Sequence, residues 1–306
     1  MSKKFIIAVD LGGTNLKLGL LNLDFKIIHK EILRTRKFFR KESLISAIVT
    51  CVNTILEARG LKRSDILGIG LGLPGPVDEK NGIVHFFPNI PGWKEVRLKK
   101  ILSKRLRLPI FLDNDANLMT LAEYKLGAAR GFKNSLCITL GTGVGGGLII
   151  NGSLYRGSSN AAGEIGHVPI NEEGARCNCG ARGCLEAYIG NSRIIQEARR
   201  LFRRDISLEE LSLLAKRHNR LALNTWSKVA RRLGLALCGA VNLLNLDAII
   251  IGGGVANAGR VLLDRVKKLI NEQAMSVQAK QVRIFKAKLG NDAGLIGAAI
   301  LVKLNS

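Results

Sequence analysis

Short apolar runs alternate along this chain with longer stretches of helical period. "KFIIAVD" (4–10), "NSLCITLG" (134–141) and "DAIIIGGG" (247–254) are bounded by charge or glycine, the pattern of strands buried on both faces. Between them, "ESLISAIVTCVNTILEARG" (42–60) and "GRVLLDRVKKLINEQ" (259–273) have the apolar spacing of amphipathic helices. Strands alternating with helices predict an α/β fold. Asn134 to Tyr155 carries no charge and is long enough to span a bilayer. Its glycines make a poor helix, so strand, loop and strand are expected there instead.

One layout occurs twice. "FIIAVDLGGTNLKLGLLN" (5–22) and "SLCITLGTGVGGGLIING" (135–152) each read as an apolar strand, a Gly/Thr turn and a second apolar strand. Two related halves are therefore expected, each opening on a hairpin with a glycine-rich turn. Gly12, Gly13, Gly141 and Gly143 permit positive φ and let backbone N–H groups approach a ligand, for which phosphate is the natural match. Thr14 and Thr142 add hydroxyls; ordinary hairpins are the alternative reading. "GTGVGG" fits the dinucleotide pattern but runs into a strand instead of a helix, and no Gly-Lys-Ser/Thr ending exists, so Rossmann and P-loop readings are set aside.

"LPIFLDNDANLMTLAEY" (108–124) predicts a strand running into a helix, with Asp113, Asn114 and Asp115 at the junction. Ligands of open α/β sheets bind at the carboxyl ends of strands. A helix N-terminus favours Asp115 as the ionised carboxylate, the form a general base needs. Helix capping is the competing explanation for all three residues. "IIIGGGVANAG" (249–259) is another strand ending in glycines; Gly253 and Gly254 either admit a flat ring or only shape the turn.

With 306 residues, 47% of them hydrophobic, the chain has ample material for a core of two domains or one large one. Asp10 ends the first apolar run too early for a signal peptide, so a cytoplasmic protein without a membrane span is expected. The formal net charge is +23, carried by scattered clusters such as "RTRKFFRK", "KKILSKRLR", "RRLFRR" and "KRHNR". Scatter and few aromatics favour solvated helix faces over a specific nucleic-acid surface, although the field would attract nucleotide phosphates.

Cysteine use is more specific. Of six cysteines, Cys177, Cys179 and Cys184 fall in "CNCGARGC", downstream of His167. One imidazole and three thiolates are the donor set of a closed, structural tetrahedral Zn2+ site. Disulfides fit poorly, because a cytoplasmic setting disfavours them and one of three clustered thiols would be left over. Glu164 and Glu186 flank the cluster, and anchoring the loop would gather two carboxylates and the second nitrogen of His167 into a pocket suited to hydroxyls. Cys51, Cys137 and Cys238 lie in apolar segments and read as core residues.

Taken in order, "DLGGTN", "GLPGPVD", "PNIPGW", "DNDAN", "LGTGVGGG", "GEIGH", "CNCGARGCLE" and "GGGVANAG" span almost the whole chain. The set resembles the ROK family of sugar kinases and sugar-responsive repressors, most closely its bacterial-type ATP-dependent glucokinases. The resemblance implies a two-domain actin/hexokinase-like (RNase H-like) fold with an interdomain cleft. By analogy, residues 1–113 with 291–306 would form one domain and 114–290 the other. It implies ATP with Mg2+ as phosphate donor, a hexose as acceptor and a homodimer. Asp115 then matches the base acting on the sugar 6-hydroxyl. Asn89, Asn114, Glu164, His167 and Glu186 match sugar ligands, and Asp10 a carboxylate near magnesium. Gly12, Gly13, Thr14, Asn15, Gly141, Thr142 and Gly143 match the ATP-phosphate loops. The family's repressors carry a helix-turn-helix ahead of the kinase-like body, for which a first strand starting near Lys4 leaves no room. Other hexoses, polyphosphate as donor, and a non-catalytic sugar-binding role are the alternatives.

Overall fold

The computed structural model describes residues 4–38, 40–87 and 92–306. Its strands are β1 (Phe5–Leu11), β2 (Asn15–Asn22), β3 (Ile27–Arg34), β4 (Ile66–Leu73), β5 (Val77–Asp78), β6 (Ile83–Phe86), β7 (Lys94–Val96), β8 (Ile110–Asn114), β9 (Ser135–Leu140), β10 (Val144–Ile150), β11 (Ser153–Tyr155), β12 (Ala248–Gly252) and β13 (Arg283–Lys286). The α-helices are α1 (Lys41–Ala58), α2 (Leu98–Leu106), α3 (Asp115–Leu126), α4 (Glu186–Ile189), α5 (Asn191–Phe202), α6 (Leu208–Lys216), α7 (Arg220–Leu244), α8 (Arg260–Gln273), α9 (Ser276–Gln281) and α10 (Ala293–Leu304). Among the described residues, no helix is long and apolar enough to cross a membrane. The charge-free stretch forms β9, β10 and β11.

Two sheets share one plan. The first has the order β3-β2-β1-β4-β8 and the second β11-β10-β9-β12-β13. In each, the opening hairpin and the next strand pair antiparallel, and the fourth and fifth strands add in parallel. The repeat visible in the two glycine-turn hairpins thus extends over a complete five-stranded sheet. Parallel neighbours require crossovers, and the apolar stripes of α1 and of α7 with α8 supply the faces that cover them. A small antiparallel sheet, β5-β6-β7, is inserted between β4 and α2.

The chain divides into two compact units, residues 1–122 with 156–162 and 291–306, and residues 123–155 with 163–290. Unit 1 keeps the start of α3 because Leu118 lies against Gly72 and Gly297. The analogy-based division at 113/114 therefore differs from the division by proximity at 122/123. Each unit has its own core: Ile7, Val9, Leu71, Leu112 and Ile48 in the first, Ile138, Ile250, Trp226, Leu233 and Val266 in the second, all fully or almost fully buried. Cys51, Cys137 and Cys238 are buried too, and all six cysteines are free thiols.

Glu123 in unit 2 has no exposed surface. Its Oε1 accepts the N–H groups of Lys288 (2.9 Å) and Leu289 (2.8 Å), and its Oε2 accepts that of Ala128 (2.7 Å). An amide cannot accept at both ends, so Glu123→Gln is expected to cost about 2 kcal/mol, read from urea unfolding of the two proteins.

Candidate active site

On unit 1, the β1–β2 turn is fixed from beneath. The buried Thr35 donates its N–H to Thr14 O (2.9 Å) and its hydroxyl to Gly12 O (2.8 Å), while Gly12 N–H donates to Asn15 O (2.9 Å). Gly13 and Thr14 are left exposed at the tip. Directly across the hairpin, Asp10 pairs with Lys17, whose Nζ donates to Asp10 Oδ2 (2.9 Å) and to Asn291 O (2.8 Å). Lys17 was not singled out from sequence, although equal spacing about the turn places it opposite Asp10.

The same unit holds the "DND" junction, where β8 ends at Asn114 and α3 starts at Asp115. Asn114 carries the cap: its Oδ1 accepts the N–H groups of Ala116 (2.9 Å) and Asn117 (3.2 Å), and its Nδ2 donates to Gly75 O (3.1 Å). Capping is therefore assigned to Asn114, and Asp115 sits half-buried in the first turn, its Oδ1 accepting Ala116 N–H at 2.8 Å. Asp113 is structural. It is 2% exposed and accepts from Asn114 N–H (2.7 Å), Asn117 Nδ2 (2.9 Å), and Arg156 Nε (3.0 Å) and Nη2 (2.7 Å). Arg156 is far away in sequence and has no local signal, so sequence reading missed it. Arg156→Ala strips the charge partner from a buried carboxylate whose neighbours include Asp115. The expected result is a loss of about 3 kcal/mol in chemical denaturation.

On unit 2, the β9–β10 turn is held by Gly141 N–H donating to Gly143 O (2.9 Å) and Asn191 N–H donating to Gly141 O (2.9 Å). None of Gly12, Gly13, Gly141 or Gly143 adopts a positive φ, contrary to the sequence expectation. What Gly143 provides is room: a Cβ there would stand 2.5 Å from Glu186 Oε2, the oxygen that accepts Val144 N–H at 2.8 Å. Glu186, the first residue of α4, thus links this turn to the acidic pocket. Gly143→Ala should push the carboxylate off Val144 at little cost in stability. Gly253 has φ of +83°, and a Cβ would meet Leu140 O at 2.2 Å. Its role here is to let β12 turn against the end of β9; Gly254 opens the following short helical turn.

Glu164 precedes, and His167 ends, a short 3-10 turn, with His167 Nε2 3.9 Å from Glu164 Oε2. Crowding by its surroundings raises the Glu164 carboxyl, His167 opposing the rise and Glu186 adding to it, even though 47% of the side-chain surface remains open. The other face of the imidazole meets the cysteines. His167 Nδ1 is 3.7 Å from Cys177 Sγ, and Cys179 Sγ is 3.7 Å from Cys184 Sγ. All four donor atoms lie within 4.8 Å of one another, the one such His/Cys group among the described residues. Around a tetrahedral zinc, Zn–S bonds of about 2.3 Å put sulfurs about 3.8 Å apart, so the donor set and its spacing fit that ion. Burial pushes the Cys184 thiol up to about 12, whereas the N–H of Ala181 lowers Cys179. A buried thiol of that kind becomes a thiolate only with a cation beside it. Asn89 lies outside the described residues. Phe87 and Trp93, on either side of its segment, are buried and pack with ring centroids 4.3 Å apart.

The protein resembles solved structures along its whole length. A ROK family glucokinase from Streptomyces griseus, in complex with glucose and AMPPNP, superposes with a TM-score of 0.85 at 31% identity, covering 98% of this chain and 99% of that one. The fold is the two-domain actin/hexokinase-like fold of the sugar kinases. The ROK family pattern matches residues 6–305. A glucokinase of Halalkalibacterium halodurans is 37% identical over 99% of this chain and 96% of its own. The chain belongs to the ROK family. A xylose repressor of Caldicellulosiruptor bescii is also similar, at 28% identity over 97% of this chain and 77% of that protein.

Proposed function

We propose that this protein is an ATP-dependent glucokinase that transfers the γ-phosphoryl group of ATP to the 6-hydroxyl of glucose. The observation that carries this reading is Asp115: a carboxylate in the first turn of α3, next to an asparagine that already caps the helix. The helix N-terminus favours its ionised form. In the reaction it accepts the 6-hydroxyl proton as that oxygen bonds to the γ-phosphorus, while the bond from phosphorus to the bridging oxygen of ADP breaks.

The remaining residues bind and orient. Asn114 has a second amide hydrogen for a sugar hydroxyl. Glu164, Glu186 and the Nε2 of His167 serve the other hydroxyls, with Asn89 as a further ligand. The turns at Gly12, Gly13, Thr14 and Asn15 and at Gly141, Thr142 and Gly143 take the phosphates of ATP; Gly253 and Gly254 stand for the nucleoside. Phosphoryl transfer depends mainly on positioning and charge stabilisation, which this set supplies without a covalent intermediate. Asp10 has one oxygen held by Lys17 and the other available, which fits a Mg2+ held by few protein carboxylates and several waters. Such an ion would neutralise the charge of the transferring phosphates. Zinc at His167, Cys177, Cys179 and Cys184 would be structural, because four protein donors leave no open position.

The reading is supported by the 37% identical glucokinase and by a structural relative described with glucose and AMPPNP. The similar repressor favours a second reading, a sugar-binding regulatory protein without turnover. Glucose-dependent release of ADP decides between them: turnover supports the kinase, and saturable glucose binding with no turnover supports the regulator. Another hexose as the better acceptor would appear as a higher kcat/KM in the same assay.

A further inference from the structure

The +23 net charge is spread along the chain, but on unit 2 four cations that the proposed reaction does not use meet in one place. A groove of about 1270 Å³ runs beside β13, the outermost strand of the second sheet. Lys133, Lys267, Lys280 and Arg283 line it, each exposed and each from a different segment: the approach to β9, α8, α9 and the start of β13. Among the described residues none of the four takes part in a salt bridge. The groove's carboxylate, Asp247, has Oδ2 accepting Asn134 N–H at 2.8 Å. A solvated helix face spreads its charges along one element. Here separate elements bring like charges together in a concavity, an arrangement that repels itself until an anion enters.

The rest of the lining narrows the choice of anion. Phe132 and Phe285 stand in the wall, half-buried, with ring centroids 5.5 Å apart, and Asn271 and Gln281 add side-chain amides. Inorganic polyphosphate could take hydrogen bonds from the amides but has no use for the rings, and a duplex keeps its base faces stacked away from such rings. Cations tracking a backbone beside aromatic faces are the means by which proteins hold unpaired strands without sequence preference. We infer that this groove binds single-stranded nucleic acid through its phosphates, with bases resting against the Phe132 and Phe285 rings.

Fluorescence anisotropy of a short labelled single-stranded oligonucleotide tests the inference on the full chain. Four phosphate contacts predict a slope of log K against log salt near −2.8, or about 50-fold weaker binding between roughly 50 and 200 mM salt. The double variant Lys267→Glu/Lys280→Glu should lower the slope by about 1.4. A control of equal charge on α2, Lys100→Glu/Lys104→Glu, should leave it unchanged. Phe132→Leu/Phe285→Leu should weaken binding about 10-fold at an unchanged slope. Thermal melts establish that each variant is folded, and Lys267→Gln/Lys280→Gln replaces the reversal if it is not. Equal losses in groove and control variants would mean a diffuse field and overturn the site. Polyphosphate competing as well as the oligonucleotide, with the leucine variant unaffected, would overturn the nucleic-acid ligand.

Discussion

Replacing Asp115 with Asn should lower kcat by roughly 100-fold to 10,000-fold, the usual worth of a positioned general base. The substitution keeps size and shape, and the side-chain oxygen can still accept Ala116 N–H, so the first turn of α3 should hold. Asn114 supplies the cap through Ala116 and Asn117, and the thermal midpoint should therefore move little. KM for both substrates should stay close to that of the parent, because an amide still offers an oxygen to the hydroxyl. A fall in stability as large as the fall in rate would show that Asp115 acts through the helix terminus and not on the substrate.

The second large effect concerns the cysteine cluster. If the cluster holds zinc as proposed, stripping the metal with a chelator, or changing Cys184 to Ser, should raise KM for glucose about 10-fold or more and leave KM for ATP nearly unchanged. The reason lies in the two faces of one imidazole: His167 presents Nδ1 to Cys177 and Nε2 toward Glu164. Without a metal the ring loses the partner that fixes its orientation, and the loop from Gly174 to Cys184 loses its anchor. Structural zinc contributes to folding, so the stripped protein should also melt at a lower temperature. Freshly purified, fully active protein with well under one equivalent of zinc would refute this part of the account.

Much of the fold was legible in the sequence because the inner strands β1, β4, β9 and β12 are buried on both faces, and their apolar runs stop abruptly at glycine or charge. The two hairpins, β1–β2 and β9–β10, could be matched by eye, and they open sheets of the same strand order. The "DND" junction could also be placed, since a strand end and a helix start differ in period. Residues whose partners are distant in sequence were not legible. Arg156 reaches Asp113, and Glu123 looks like an ordinary helical acid until the N–H groups of Lys288 and Leu289 close over it. Lys17 stood within reach, because hairpin register puts it opposite Asp10. Of the two properties expected of the glycine turns, positive φ is not used at Gly12, Gly13, Gly141 or Gly143, and at Gly143 small size leaves room for Glu186.

The most direct test of the proposed reaction is ADP release from ATP and Mg2+ across a panel of hexoses, run on the purified protein with Asp115→Asn alongside. The account predicts strong turnover with glucose, glucose 6-phosphate as product, and near-loss of both in the variant. A folded protein that turns over none of the hexoses would contradict it.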